Sequence, residues 1–98
     1  MKYENWLFGK DGALFKASVD GKLELVKELV AEGANIDAAS RNGYTPLHRA
    51  SQSGHKNIVE FLLSKGANST IESKDNQTAL KLAVQNGHND IAEILKQH

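Results

Sequence analysis

Two spacings of apolar residues are laid over one another along this chain. The shorter is the three-to-four-residue step of a helix face. Ile58, Val59, Phe61, Leu62 and Leu63 alternate with outward-reading Lys56, Glu60, Ser64 and Lys65, the mark of an amphipathic helix. The longer spacing is 33 residues, at which whole segments return without a gap. Leu14, Leu47 and Leu80 align, as do Ala17, Ala50 and Ala83, then Gly21, Gly54 and Gly87. Leu25, Ile58 and Ile91 follow in register, then Leu29, Leu62 and Leu95, and Gly33-Ala34-Asn35 returns as Gly66-Ala67-Asn68. A fixed period of this size means stacked supersecondary units, none able to bury its apolar face alone.

The elements follow from local chemistry. Thr45 can cap a helix through its hydroxyl, and Pro46 suits a first helical position where no N–H is needed. That helix covers 46–53 and stops at Gly54, where a left-handed backbone costs little. A second helix spans 57–65 and ends at Gly66. The polar stretch from Asn68 to Gln77 predicts a turn or hairpin projecting from the helices. The same reading gives short helices over 13–20 and 79–86 and longer ones over 23–32 and 89–97. Only Ile36 and Ile71 are apolar in the turns, so no extended sheet is expected. The fold class is therefore all-α, a helical repeat solenoid of three helix–turn–helix units with projecting turns. Residues 1–9 form an extension or cap, and the units cover about 10–40, 41–73 and 74–98. Glu28 stands where unit two has Phe61, and Lys96 where it has Leu63. End repeats need one polar outer face, so these two are expected to face water at opposite ends of a complete three-unit stack.

Gly43-Tyr-Thr-Pro-Leu-His-Arg-Ala50, Gly54-His-Lys-Asn-Ile-Val59 and Leu62-Leu-Ser-Lys-Gly-Ala-Asn68 together resemble the ankyrin repeat, over roughly residues 10–98. The resemblance implies an L-shaped cross-section and a concave surface of turn tips and first helices that binds other proteins, without catalysis. It also implies that His48 orders its turn by hydrogen bonding. The departures are specific. Gly12-Ala-Leu-Phe15 replaces Thr-Pro-Leu-His, so unit one resembles an N-terminal cap; unit three has Ala79 and Lys81. Asn76 takes the place of Gly43, being the next most tolerant residue of a left-handed backbone. Ser69 and Thr70 depart from the pattern set by Ile36 and Asp37, predicting a looser second turn.

Composition narrows the classes. Twelve Lys plus Arg balance twelve Asp plus Glu, against the basic excess usual in nucleic-acid modules. There is no cysteine, which excludes disulfides and thiolate-bound zinc. No apolar run approaches the ~20 residues of a membrane span, and the first ten residues lack a signal-peptide core. A cytoplasmic or nuclear protein is the expectation, with the sequons at Asn68 and Asn76 read as chance matches. No G-x-S-x-G or G-x-x-x-x-G-K occurs, so no enzyme activity and no cofactor are expected. His55 and His88 sit in adjacent units, whose helices pack ~8–10 Å apart; one metal held at ~2 Å is not expected from them.

Surface positions that the repeat does not dictate are the candidates for function. Arg41, Asn42, Tyr44, Lys74, Asp75 and Gln77 fall in turn tips, and Lys16, Arg49, Gln52, Ser53, Gln85 and Asn86 on first helices. Tyr44 and Arg49 stand out, since Tyr and Arg carry much of the energy of interfaces. Against this, Tyr44 could simply pack on a neighbouring turn and Arg49 be a solvated charge. Trp6, Leu7 and Phe8 either cap the open edge of unit one or anchor a partner or second copy. The leading expectation is a monomeric adaptor or inhibitor binding one protein partner. The alternatives are a structural homo-oligomer assembled through Trp6-Leu7-Phe8 or a repeat edge, and nucleic-acid binding by Lys16, Arg41, Arg49, Lys74 and Lys81.

Overall fold

A computed structural model describes residues 8–98. It contains, among those residues, α1 (Gly9–Asp20), α2 (Leu23–Ala31), α3 (Pro46–Ser53), α4 (Lys56–Ser64), α5 (Ala79–Gln85) and α6 (Asn89–Lys96), and no strand. The all-helical solenoid expected from the period is the fold observed. Each odd-numbered helix turns back into the even one that follows, and the pairs stack. First helices form one layer, α1 on α3 and α3 on α5, while α2, α4 and α6 form the other. One expected length is corrected. The first helix is the longest at 12 residues and begins at Gly9 rather than near residue 13. Asp11 in its first turn favours that positive end, a contribution that apolar periodicity does not register. None of the helices of the described residues is long and apolar enough to cross a membrane.

The core is the repeated column set. Leu14, Leu47, Ala17, Ala50, Ala83, Ile58, Ile91, Leu29, Leu62 and Leu95 are buried together. Alanine at the 17/50/83 positions lets consecutive first helices approach closely. The stack's first face shows how much burial depends on a neighbour. Leu25 is 38% exposed, while its repeat equivalents Ile58 and Ile91 are 0% and 1% exposed. Glu28 and Lys96 are both exposed, as their polarity predicts.

Thr45 caps α3 as expected, accepting from the His48 N–H, and the His48 ring completes a reciprocal capping box. Its Nδ1 accepts from the Thr45 N–H at 3.0 Å and hydrogen-bonds the Thr45 hydroxyl at 2.8 Å. Nε2 therefore carries the proton and donates it to the Gln77 carbonyl of the next unit, 2.8 Å away. One imidazole thus fixes a helix start and ties it to the following turn. Burial lowers its pKa, the Gln77 carbonyl opposes this, and the Arg49 charge adds to it.

The turns repeat one another bond for bond. The Ser40 N–H donates to the Tyr44 carbonyl at 2.8 Å, and the Tyr44 N–H to the Ser40 hydroxyl at 3.1 Å. The Ser73–Gln77 pair makes the same two bonds at 2.9 and 3.0 Å. The looser second turn is not observed. Asn68 Oδ1 accepts from the Thr70 N–H and hydroxyl, as Asn35 Oδ1 accepts from the Asp37 N–H in the first turn. Asn76 adopts φ +63°, the left-handed turn position that Gly43 fills at +85°.

His55 and His88 join the units on the other side of the helix pair. Each donates Nε2–H to a carbonyl near the end of the preceding first helix, Val19 at 2.9 Å and Gln52 at 3.1 Å. The rings lie so close to Gly21 and Gly54 that an added Cβ would come within 2.6 Å of the imidazole. Gly87 has the same left-handed backbone, φ +76°, with nothing within 4 Å of such a Cβ.

That contrast gives a two-variant test. Gly87→Ala carries only the left-handed cost of about 1 kcal/mol, a fall of roughly 4–8 °C in Tm for a domain of this size. Gly54→Ala must also displace the His88 ring, so calorimetry should show it melting well below Gly87→Ala. His48→Ala leaves the Thr45 N–H and the Gln77 carbonyl without their partner and should lower stability by about 1–3 kcal/mol. Because the folded pKa of His48 lies below its ordinary 6.5, its contribution is complete above that pH and is lost as pH falls towards the folded value. The urea midpoint of the wild type should drop between pH 7 and pH 5, and His48→Ala should flatten that drop.

Candidate functional site

The first-helix layer and the turn tips bring five of the twelve candidate residues around one shallow cleft. Asn42, Tyr44, Arg49, Lys74 and Asp75 line a volume of about 380 Å³. Its geometry follows from the stacking of the turns. The Lys74 N–H donates to the Asn42 carbonyl at 2.9 Å, joining the two tips. Gly43 lies so close to the second turn that a Cβ there would sit 3.0 Å from the Lys74 nitrogen. Cleft walls made by different units are thereby held in fixed register.

Tyr44 does reach the neighbouring turn. Its hydroxyl donates to the Asp75 carboxylate at 3.1 and 3.2 Å, and its ring lies 5.3 Å from that of His48. The Ser73 hydroxyl also donates to Asp75. The Ser73 hydroxyl chiefly, and the Tyr44 hydroxyl after it, hold the Asp75 pKa below the usual carboxylate value. Arg49 is not a solvated charge. Its guanidinium lies 4.1 Å from the Tyr44 ring centre and 5.8 Å from that of Phe15, and Nη1 donates to Gln52 Oε1 at 2.6 Å. Two aromatic faces and an amide fix one half-buried cation in place.

The other candidates are placed differently. Arg41 is exposed at the first tip and Ser53 at the end of α3. Lys16 pairs with Asp20 at 3.1 Å on α1. Gln77 lends its backbone to His48 and Ser73, and its side-chain oxygen accepts from Gln85 Nε2 at 3.0 Å. Asn86 turns back on its own helix, donating to the Leu82 carbonyl at 2.8 Å. Lys81 Nζ is held by the Asn76 carbonyl at 3.0 Å. Trp6 and Leu7 lie outside the described residues, and Phe8 is 65% exposed. Among the described residues no three His, Cys, Asp or Glu side chains converge as a metal site requires.

Two features escaped the sequence reading. Phe15 reads only as a departure from the histidine column, yet its buried ring backs Arg49. A second groove of about 470 Å³ lies between α2 and α4, lined by Lys27, Val30, Ala31, Phe61 and Lys65. Val30 and Phe61 are both only partly buried, and no spacing of apolar residues along the chain marks such a groove.

Comparisons with known proteins agree with this architecture. The Notch-regulated ankyrin repeat-containing proteins of Homo sapiens and Xenopus tropicalis are each 51% identical to this chain over 43 residues, 42% of it and 38% of their own length. Notch-regulated ankyrin repeat-containing protein B of Danio rerio is 49% identical over 43 residues, with 39% of its length covered. The chain thus matches about two fifths of the length of these relatives. The family description "Ankyrin repeats (3 copies)" matches residues 14–98. With three units in one register over nearly all of its length, the chain belongs to the ankyrin-repeat family.

Proposed function

We propose that this chain is a non-enzymatic adaptor or inhibitor that holds one protein partner against its turn tips and first helices. Ankyrin repeats are protein–protein interaction modules, and the cleft at the turn tips is the part of this surface best organised for binding. The observation that carries the reading is Arg49, fixed between Tyr44 and Phe15 and tied to Gln52. A side chain ordered before binding loses little freedom when a partner arrives. Arg and Tyr are also the residues most often decisive at interfaces. An ordinary interface covers ~800 Å² of each partner, roughly a seventh of the 5365 Å² surface of this chain. The concave face would therefore be largely committed to one partner at a time.

The relatives' name speaks of regulation by Notch. The 43 matched residues are little more than one repeat period, so they carry repeat sequence and not a partner. The test is affinity capture from cell lysate, comparing wild type with a Tyr44→Ala/Arg49→Glu variant whose helical circular dichroism and melting show it folded. Proteins retained by the wild type and lost by the variant are the expected result. Identical retained sets would move the site off this face. Capture of nothing, with concentration-dependent mass in light scattering, would replace the adaptor by a homo-oligomer.

A further inference from the structure

We infer that the segment recognised by this cleft is a linear peptide bearing an aspartate or glutamate, its carboxylate seated on Arg49 with Lys74 beside it; this rests on the concave-face reading above. The inference comes from two cations that line one cleft without a carboxylate partner among the described residues. Lys16, Lys27, Lys56 and Lys96 each have a carboxylate within 4.0 Å. Arg49 and Lys74, which line the cleft from opposite units, form no ion pair among the described residues.

The acid nearest to them does not take that role. Asp75 accepts from the hydroxyls of Tyr44 and Ser73, and these bonds keep it ionised. Arg49 spends one N–H on Gln52, and its guanidinium carbon is held 4.1 Å from the Tyr44 ring centre and 5.8 Å from that of Phe15. Other N–H groups of the fork are left to donate to a ligand. A carboxylate can accept two parallel N–H bonds from such a fork. Lys74 has its backbone N–H engaged by Asn42, and its exposed side chain is left to add a second, unfixed positive charge.

Asp75 also sets an upper limit on the ligand's charge. A fixed anion in the same cleft of about 380 Å³ disfavours a phosphate or nucleic-acid backbone and tolerates a single carboxylate. The volume accepts one side chain and its flanking backbone. Asn42 on the rim offers an amide able both to donate and to accept.

The experiment is selection of a phage-displayed random linear peptide library on the whole chain, followed by titration of a synthetic peptide from the enriched set. A shared Asp or Glu is expected. Its replacement by the amide should weaken binding about tenfold or more, as should Arg49→Gln. Lys74→Gln, at an exposed position that cannot unfold the stack, should weaken it several-fold. Enriched peptides without an acidic residue, but lost with Tyr44→Ala, would overturn the acidic ligand while leaving the concave face in place. Peptides indifferent to Tyr44→Ala, Arg49→Gln and Lys74→Gln alike would overturn both. Failure to enrich any peptide would overturn the linear segment, leaving a folded surface as the partner tested by lysate capture. Tighter binding of a phosphoserine peptide or of single-stranded RNA than of the carboxylate peptide would also overturn it.

Discussion

Each helix pair of this chain depends on the next for a surface to be buried against, and that junction governs the rest of the molecule. Leu25, in the first described helix pair, is 38% exposed; Ile58 and Ile91, one and two periods later, are sealed. The junction is made specific by polar pins rather than by apolar area alone. His48 reaches Gln77 on the turn side, and His55 and His88 reach Val19 and Gln52 at the opposite ends of the first helices. Since apolar contact is non-directional, these bonds set the rotation and translation of one unit on another. The small residues serve the same end, because Gly21 and Gly54 permit the approach that brings His55 and His88 to their carbonyls.

The cleft is a product of that registration. Asn42 and Tyr44 come from one turn, Lys74 and Asp75 from the next, and Arg49 from the helix between them. None would face the others if the units slid by one residue. The same imidazole that links the units also lies beside the Tyr44 ring, so packing and site share a residue. Rigidity of the binding face therefore comes both from the backbone bond between the turn tips and from the side-chain bond of Tyr44 to Asp75 across them.

Much of this was legible in the residues because repetition is a strong signal. A column such as Ala17, Ala50 and Ala83 is informative three times over, and helix ends marked by Thr45, Pro46 and Gly54 leave little freedom. The extra length of α1 was not legible, since its first turn carries no apolar period to reveal it. The tightness of the second turn is not legible from Ser69 and Thr70, because the bond that holds it comes from the repeated asparagine, Asn35 to Asp37 and Asn68 to Thr70. At the site, Tyr44 and Arg49 could be singled out as residue types, but not their mutual stacking. The role of Phe15 depends on a contact between residues 34 positions apart, and no local pattern encodes it. Asn86 was placed on the surface correctly and yet is engaged with its own helix, which only geometry decides.

The Lys74–Asn42 bond joins the tips of two successive turns, away from the helix pairs. Units of a stack contact only their neighbours, so their mutual orientation is the softest coordinate such a chain has. A ligand seated across both tips works at the long arm of that coordinate and acts as a clasp. By linkage, whatever free energy it gains from the closed pair of turns is also resistance to their parting. Occupancy of a surface cleft would then be felt as stiffness along the whole stack.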